Sequence, residues 1–503
     1  MISGIDLFIV IFFIAGVFVV GVYFKKFIHT SEDYFLAGRQ LAWWVIGMSI
    51  IGTNIGSYDY VGGAGAAYDV GIAQANYEWI GAIPAMVISA LLFVPYYWRA
   101  GAYTVPEYLG KRYGQPVRVI EALLWGTFLI CCLAIFFWAS GVMINTYVGW
   151  PTWLGITITA VIVGIYTVTG GLTAVAMTDV IQLAIMLVGG LAVAVIGFNE
   201  VGGWSGLVAS IAPEHPDHFK LFLPLSHKTY PWLGMILGLG LVLSPAWWCC
   251  HQAIIQRTLG ARSEWDAKAG MLSAAFLKML VPLLYVLPGL FVLAIATEPL
   301  ADKDQALPWA IKNMLPAGLA GLVFSAFLAA IFSSVDSTLN SAVTIWTRDI
   351  YQNFIVRKAP DRHYLNFGRG LTMVFVVMGA LLAKPLTTSF EGIYLAMQTL
   401  LTFFQGPTLA TVLLGIMWAR ATRWGGLFGL VGGVACSVTL HMTDMSFLYV
   451  AWWSFLTALI INVLVSIITP PEPLEKLRGL VYGLVMKDEH VQNGLSSRAA
   501  GGE

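Results

Sequence analysis

The chain has 503 residues, 58% of them hydrophobic and only 11% charged, and its 27 Lys plus Arg balance 27 Asp plus Glu. A soluble protein carries about a quarter charged residues, so this composition excludes a water-soluble enzyme, a nucleic-acid binder and a disordered scaffold. A polytopic membrane protein remains.

A helix that crosses a bilayer needs about 20 mainly apolar residues. Thirteen runs are expected to do so: 5–24, 41–67, 71–98, 117–148, 151–168, 172–198, 232–256, 268–297, 317–347, 366–384, 391–418, 423–442 and 447–468. The first lacks a basic stretch before it and a small-residue cleavage pattern, and Lys25 and Lys26 follow it at once, so it reads as a retained span. The five cysteines (Cys131, Cys132, Cys249, Cys250 and Cys436) lie in apolar runs and indicate neither a disulfide framework nor a metal site.

Basic residues orient the spans. With the N-terminus outside and the C-terminus in the cytoplasm, 21 Lys and Arg fall in cytoplasmic segments and 5 in external ones. The one cation left over, Lys278, falls inside a hydrophobic span. The longest external loop, 199–231, carries Glu200, Glu214, His215, Asp217 and His218 and reads as a solvated surface. The tail beyond Ser466, with Pro470, Pro471 and Pro473, is expected to be a partly disordered cytoplasmic extension. No soluble domain stands apart from the helices, so function must live among them.

The second span is interrupted by Gly52-Thr53-Asn54-Ile55-Gly56-Ser57, followed by Tyr58 and Asp59. Such residues weaken a helix and free carbonyls, tolerated at mid-membrane only where they line a cavity or coordinate something. The seventh span has a corresponding break expected at Ser244-Pro245, because proline cannot donate the helical hydrogen bond. Breaks in corresponding places of two halves point to a transporter binding site. Their five-span separation predicts two inverted repeats, spans 2–6 and 7–11.

Ionisable groups within spans are costly and mark function by default. Here they are Asp59, Glu78, Glu121, Asp179, Lys278 and Asp336. Glu121 lies near the cytoplasmic end of its span and reads as structural. Lys278 needs a carboxylate partner to offset its desolvation, either Glu78 or Asp59. Ser333, Asp336, Ser337, Asn340 and Ser341 share one polar stripe of the ninth span. Hydroxyls, carbonyls and a carboxylate suit a hard cation such as Na⁺. Asp179 is a second intramembrane acid with no cation nearby in the sequence; cation coordination or proton carriage accounts for both acids. Apart from Arg118 and Arg369 at the cytoplasmic ends of their spans, the core spans carry no arginine, which argues against a carboxylate solute. No nucleophile elbow, HExxH or phosphate-cradling loop is present, so an enzyme is not expected.

Several motifs then resemble one family in order and placement. They are Ser31-Glu32-Asp33-Tyr34-Phe35-Leu36-Ala37-Gly38-Arg39, Asn54-Ile55-Gly56-Ser57, Tyr77-Glu78-Trp79 and Val105-Pro106-Glu107-Tyr108-Leu109. Further along come Gly170-Gly171-Leu172-Thr173-Ala174, Thr178-Asp179-Val180-Ile181-Gln182, Ile255-Gln256-Arg257-Thr258-Leu259, and Ser333-Ser334 with Asn340-Ser341. The chain resembles the sodium/solute symporters, in particular the sodium/sugar cotransporter branch. That resemblance implies an all-α fold with a LeuT-type 5+5 inverted-repeat core and Na⁺ as the coupling ion. It implies a sodium site made of Gly52 and Ile55 carbonyls with Ala330, Ser333 and Ser334. Asp179, Asp336 and Ser337 match a second cation or proton site. Glu78, Lys278 and Gln398 match sugar contacts, with Trp247 stacking on the sugar and Trp248 following it; Asp59 and Tyr77 complete the expected solute set. Three positions depart from the branch: Asp59 replaces an amide or imidazole, Gly81 a hydroxyl and Ser244 an amide.

The expected organisation is a first helix and cytoplasmic loop (1–40), two repeats (41–198 and 232–418), two peripheral helices (419–469) and a tail (470–503). The expected function is sodium-coupled import of a small polar solute, a sugar or polyol, across the inner (cell) membrane of a bacterium by alternating access. Symport of an amino acid or amine-bearing compound, with sodium or protons, is the alternative, followed by a channel or a sensor that does not transport. The partners expected are the solute and the lipid bilayer; no nucleic acid or obligate protein partner is expected.

Overall fold

A computed structural model describes residues 3–56, 58–387, 393–443 and 445–484. Ser57, the first residues of the 391–418 span and the tail from 485 onward therefore lie outside the described residues. Among those described, ten helices are long and apolar enough to cross a membrane, and two shorter apolar helices, Thr152–Ile165 and Gln405–Met417, accompany them.

In chain order the helices are α1 (Gly4–Tyr23), α2 (Trp43–Asn54), α3 (Ala64–Val70) and α4 (Tyr77–Arg99). Next come α5 (Gln115–Val148), α6 (Thr152–Val201), α7 (Trp232–Cys250), α8 (Gln252–Leu259) and α9 (Glu264–Ile295). The series closes with α10 (Leu319–Ile355), α11 (Asp361–Thr387), α12 (Ile393–Thr402), α13 (Gln405–Met417), α14 (Arg423–His441) and α15 (Phe447–Ile468). The expected fifth and sixth spans run together as α6, bent where Gly171 takes φ +53°. A side chain there would put its Cβ 2.6 Å from the Tyr34 carbonyl oxygen, so the bend needs glycine.

The second span breaks where Gly, Asn and Ser predicted. Helix α2 ends at Asn54, and Ile55 leaves helical geometry with φ −75° and ψ 83°. The Gly56 N–H then donates to Asp59 Oδ2 at 3.0 Å, while the Gly56 carbonyl accepts from Asp59 and Tyr60, both at 3.1 Å. Asp59 thus caps the restarted helix as an acidic third residue does in a capping box. The seventh span behaves differently from expectation. Ser244-Pro245 does not interrupt it; a wide π-type stretch, Met235–Leu243, precedes Pro245 and lets the ring sit in the first turn of the α-helical portion. The break comes instead at His251, extended at φ −69° and ψ 120°.

Helix α10 lies at the centre and packs on α6, α5, α2 and α1. Its start is capped from another helix: buried Asp6 of α1 accepts from the Gly318 and Gly321 N–H groups at 2.7 and 2.8 Å. These donors have no partner within the helix, and a carboxylate also suits the positive end of its dipole. The tail departs from expectation in its first part. Leu477, Leu480 and Val481 are buried, and the Tyr482 N–H donates to the Ile416 carbonyl at 2.7 Å, so residues 474–484 are docked onto the helices.

Candidate functional site

The break in α2 brings its C-terminal end to face α4, α9 and α10. Within α9 the helix tightens just after Lys278: Met279 and Leu280 stay in the helical region, but their N–H groups bond three residues back, to Phe276 and Leu277, ahead of Pro282. Lys278 Nζ lies 2.6 Å from Glu78 Oε2 and also donates to Asn54 Oδ1, the last residue of α2. Glu78 Oε1 accepts from the Tyr285 hydroxyl at 2.8 Å. The ammonium also lies 5.5 Å from the Trp248 ring centroid. The pair is 2% and 4% exposed at its side chains, so each charge depends on the other and on these neutral partners. Of the two carboxylates considered for Lys278, Glu78 is the one it meets.

These groups line a cavity of about 50 Å³. All seven residues expected to contact solute lie on its wall: Asp59, Tyr77, Glu78, Trp247, Trp248, Lys278 and Gln398. Asn54, Ser244, Leu401 and Gln405 line it too. Two departures from the sugar branch explain each other sterically. A Cβ on Gly81 would lie 2.4 Å from Ser244 Oγ, so the Ser244 hydroxyl occupies the room a side chain at 81 would need. Trp247 leans on His251, ring centroids 4.1 Å apart, which ties the cavity wall to the break after α7.

A second polar centre lies where α2 meets α6 and α10. Helix α2 approaches α6 closely because Gly52 has no side chain; a Cβ there would sit 3.1 Å from the Asp179 carbonyl oxygen. Ser334 Oγ donates to the Thr53 carbonyl at 3.4 Å, and Ser333 Oγ donates to Asp179 Oδ1. Gly52, Ile55, Ala330, Ser333 and Ser334 are all buried here. Carbonyls at a helix end and two adjacent hydroxyls form a donor set that fits a hard, weakly charged cation.

The residues of the second expected cation or proton site meet a protein cation. Arg257 Nη2 donates to Asp179 Oδ2 at 2.9 Å and to Ser337 Oγ at 2.5 Å, while its Nε donates to Ser49 Oγ at 2.6 Å. Ser49 in turn donates to Asp179, and Thr53 shares a hydrogen bond of 2.9 Å with Ser337. Asp336 accepts from Ser337 at 3.1 Å. The inventory of core spans ended one residue short of Arg257 and assigned it to a cytoplasmic segment; in the fold it is 1% exposed and belongs to this network. Asn54, Tyr285, Arg257 and Gln405 are the site residues missed from sequence. Arg257 and Asn54 stand in recognised motifs, the Ile255–Leu259 run and Asn54-Ile55-Gly56-Ser57.

Glu121 is fully buried and accepts from the Thr408 hydroxyl at 3.0 Å, so it does not reach an interface. In the 199–231 loop, His218 is buried rather than solvated, with Nε2 3.1 Å from the Tyr68 carbonyl.

The sodium:solute symporter family model matches residues 34–433. A sodium/glucose cotransporter of Vibrio parahaemolyticus is 33% identical over 440 residues, covering 83% of this chain and 80% of that protein. Sodium/glucose cotransporter 1 of Oryctolagus cuniculus is 31% identical over 542 residues, with 95% and 81% covered. Among solved structures, a substrate-bound, outward-open Na⁺-coupled sialic acid symporter superimposes with a TM-score of 0.84 at 21% identity, covering 93% of this chain and 99% of that one. The fold is therefore that of the LeuT-type symporters, and the all-helical membrane architecture expected from sequence holds.

Proposed function

This chain belongs to the sodium:solute symporter family, and we propose that the solute it couples to Na⁺ is a neutral sugar or polyol held in the Glu78–Lys278 cavity. One observation carries the reading: a buried ion pair, with Asn54 on its lysine and Tyr285 on its carboxylate, lies on the wall of a polar cavity together with Gln398 and two tryptophans. Such a wall offers acceptors, donors and aromatic faces with its charges cancelled, which suits hydroxyls above a carboxylate. Two sugar cotransporters among the relatives support the same solute class. Asp59 is drawn into capping Gly56, so its presence does not by itself favour an amine-bearing solute.

In this reading Na⁺ sits among the Gly52 and Ile55 carbonyls, Ala330, Ser333 and Ser334. It joins the end of α2 to α10 and so holds the cavity in shape for solute. Solute then bridges the Glu78–Lys278 wall to Gln398, and relative movement of the two bundles opens the cavity to the other side. Because Arg257 engages Asp179 and Ser337, one Na⁺ per solute is the stoichiometry this arrangement favours. The repeats are read as 41–198 and 232–418, with the N-terminus outside the inner (cell) membrane of a bacterium. The test is uptake by purified protein in liposomes over sugars, polyols, amino acids and amines, with and without an inward Na⁺ gradient. Sodium-dependent uptake of an amino acid or amine, and of no sugar or polyol, would overturn the reading.

A further inference from the structure

Gln405 begins α13, where the chain resumes helical geometry after Phe404, which departs from it at φ −143° and ψ −13°. It is 0% exposed and lines the solute cavity. Neither its amide nitrogen nor its amide oxygen has a hydrogen-bond partner among the described residues. Trp247 Nε1, on the same wall, is likewise without one.

A buried amide with no partner is unfavourable, and an apolar side chain of similar length would avoid the loss. The polar groups of the Glu78–Lys278 pair are different: Asn54 and Tyr285 already serve them. Any solute hydroxyl that binds the pair competes with, or adds to, contacts already made. A hydroxyl that binds Gln405 satisfies atoms that otherwise have nothing, so this residue discriminates more sharply between solutes that have the hydroxyl and solutes that lack it. The amide carries an acceptor and a donor on adjacent atoms, and rotation by half a turn exchanges them. Its complement is a pair of neighbouring hydroxyls, one donating and one accepting. Resting on the sugar-or-polyol reading above, we propose that Gln405 is a specificity-determining solute contact that recognises two adjacent hydroxyls, with the Trp247 N–H as a further donor on the same face.

The experiment uses full-length protein in liposomes with inward Na⁺, and D-glucose, D-galactose and myo-inositol as probes. Monodeoxy analogues of whichever probe is carried are then compared in wild type and Gln405→Leu, with Gln405→Met as the second apolar variant. Wild type should lose about tenfold or more in kcat/KM on one or two adjacent monodeoxy analogues. Gln405→Leu and Gln405→Met should lose a similar factor on the parent and then treat that analogue and the parent alike. Their thermal stability without solute should equal or exceed wild type, because an unpaired amide has been removed. A variant that keeps the wild-type deoxy profile, or loses all analogues by the same factor, overturns the assignment while leaving the solute class intact. If wild type carries none of the three probes and no other sugar or polyol of the uptake panel, the solute class falls and the assignment with it.

Discussion

Arg257 reaches Asp179 with its Nη2 2.9 Å from Oδ2, in a position where both side chains are sealed from solvent. Removing one member of a buried pair leaves the other charge uncompensated, at a cost of about 3–5 kcal/mol. Arg257→Ala is expected to lower the unfolding temperature of the purified protein sharply, whereas the double variant Arg257→Met/Asp179→Asn should recover much of the loss. The same pair predicts a sodium-to-solute flux ratio near one. A measured ratio of two would require Arg257 to vacate the carboxylate during the cycle.

Lys278 and Glu78 answer to the same argument but with a functional readout. Glu78→Ala and Lys278→Ala are each expected to weaken solute binding by roughly 100-fold, the scale of a lost charged hydrogen bond. Trp248 beside the ammonium provides a fluorescence signal for titration. Wild-type solute affinity in a folded single variant would reduce the pair to a structural role.

Ser334 donates to the carbonyl just before the helix break, at 3.4 Å. Replacing it by alanine removes one oxygen from the proposed sodium shell. Ser334→Ala should raise the sodium concentration for half-maximal uptake by about tenfold, and reciprocity requires a matching loss of sodium's effect on solute affinity. Unchanged sodium activation would remove Ser334 from the shell.

Gly52 sets how near α2 comes to α6. A methyl there would meet the Asp179 carbonyl oxygen at 3.1 Å and its Cβ at 3.3 Å. Overpacking of this kind costs about 1–3 kcal/mol, so Gly52→Val is expected to destabilise the protein and to weaken sodium activation together. Loss of stability with sodium affinity intact would separate the packing from the ion.

His218 gives a pH prediction outside the membrane-spanning segments. Burial holds its pKa below the ordinary 6.5, although the Tyr68 carbonyl pulls the other way. The neutral ring is the docked form, so docking contributes its full stability above about pH 6.5, the value of the undocked ring, and loses it as pH falls through the lower docked pKa. The hydrogen-exchange protection factors of residues 212–231, which divide out the intrinsic pH dependence of exchange, should therefore fall between pH 7.5 and pH 5.5. In His218→Gln that pH dependence should flatten; a slope equal to wild type would assign the effect elsewhere.

The helix break after Asn54 is legible because glycine, asparagine and serine at mid-span weaken a helix whatever surrounds them. Lys278 was legible for a similar reason, since a lone ammonium in an apolar run demands a partner. Arg257 was not. It stands one residue beyond the apolar run, where a basic residue ordinarily marks the cytoplasmic edge. Only the turn at His251, which folds α8 back against α2 and α10, brings it inside. Pro245 misled in the opposite direction, because the wide turn ahead of it removes the hydrogen bond that proline would have broken. Gln405 carried no signal, since a single amide beside Gly406 and Pro407 looks like an ordinary helix start.

The two buried ion pairs also decide what a membrane potential can pull on. Glu78 with Lys278, and Asp179 with Arg257, each sum to zero. Carried across the electric field as intact units, neither gains or loses energy, whereas a single travelling charge is worth about 2.3 kcal/mol per 100 mV. Voltage therefore acts on the bound cation rather than on these pairs, and the neutral passenger proposed above adds nothing to that work. An energised membrane drives the loaded carrier inward through its ion alone.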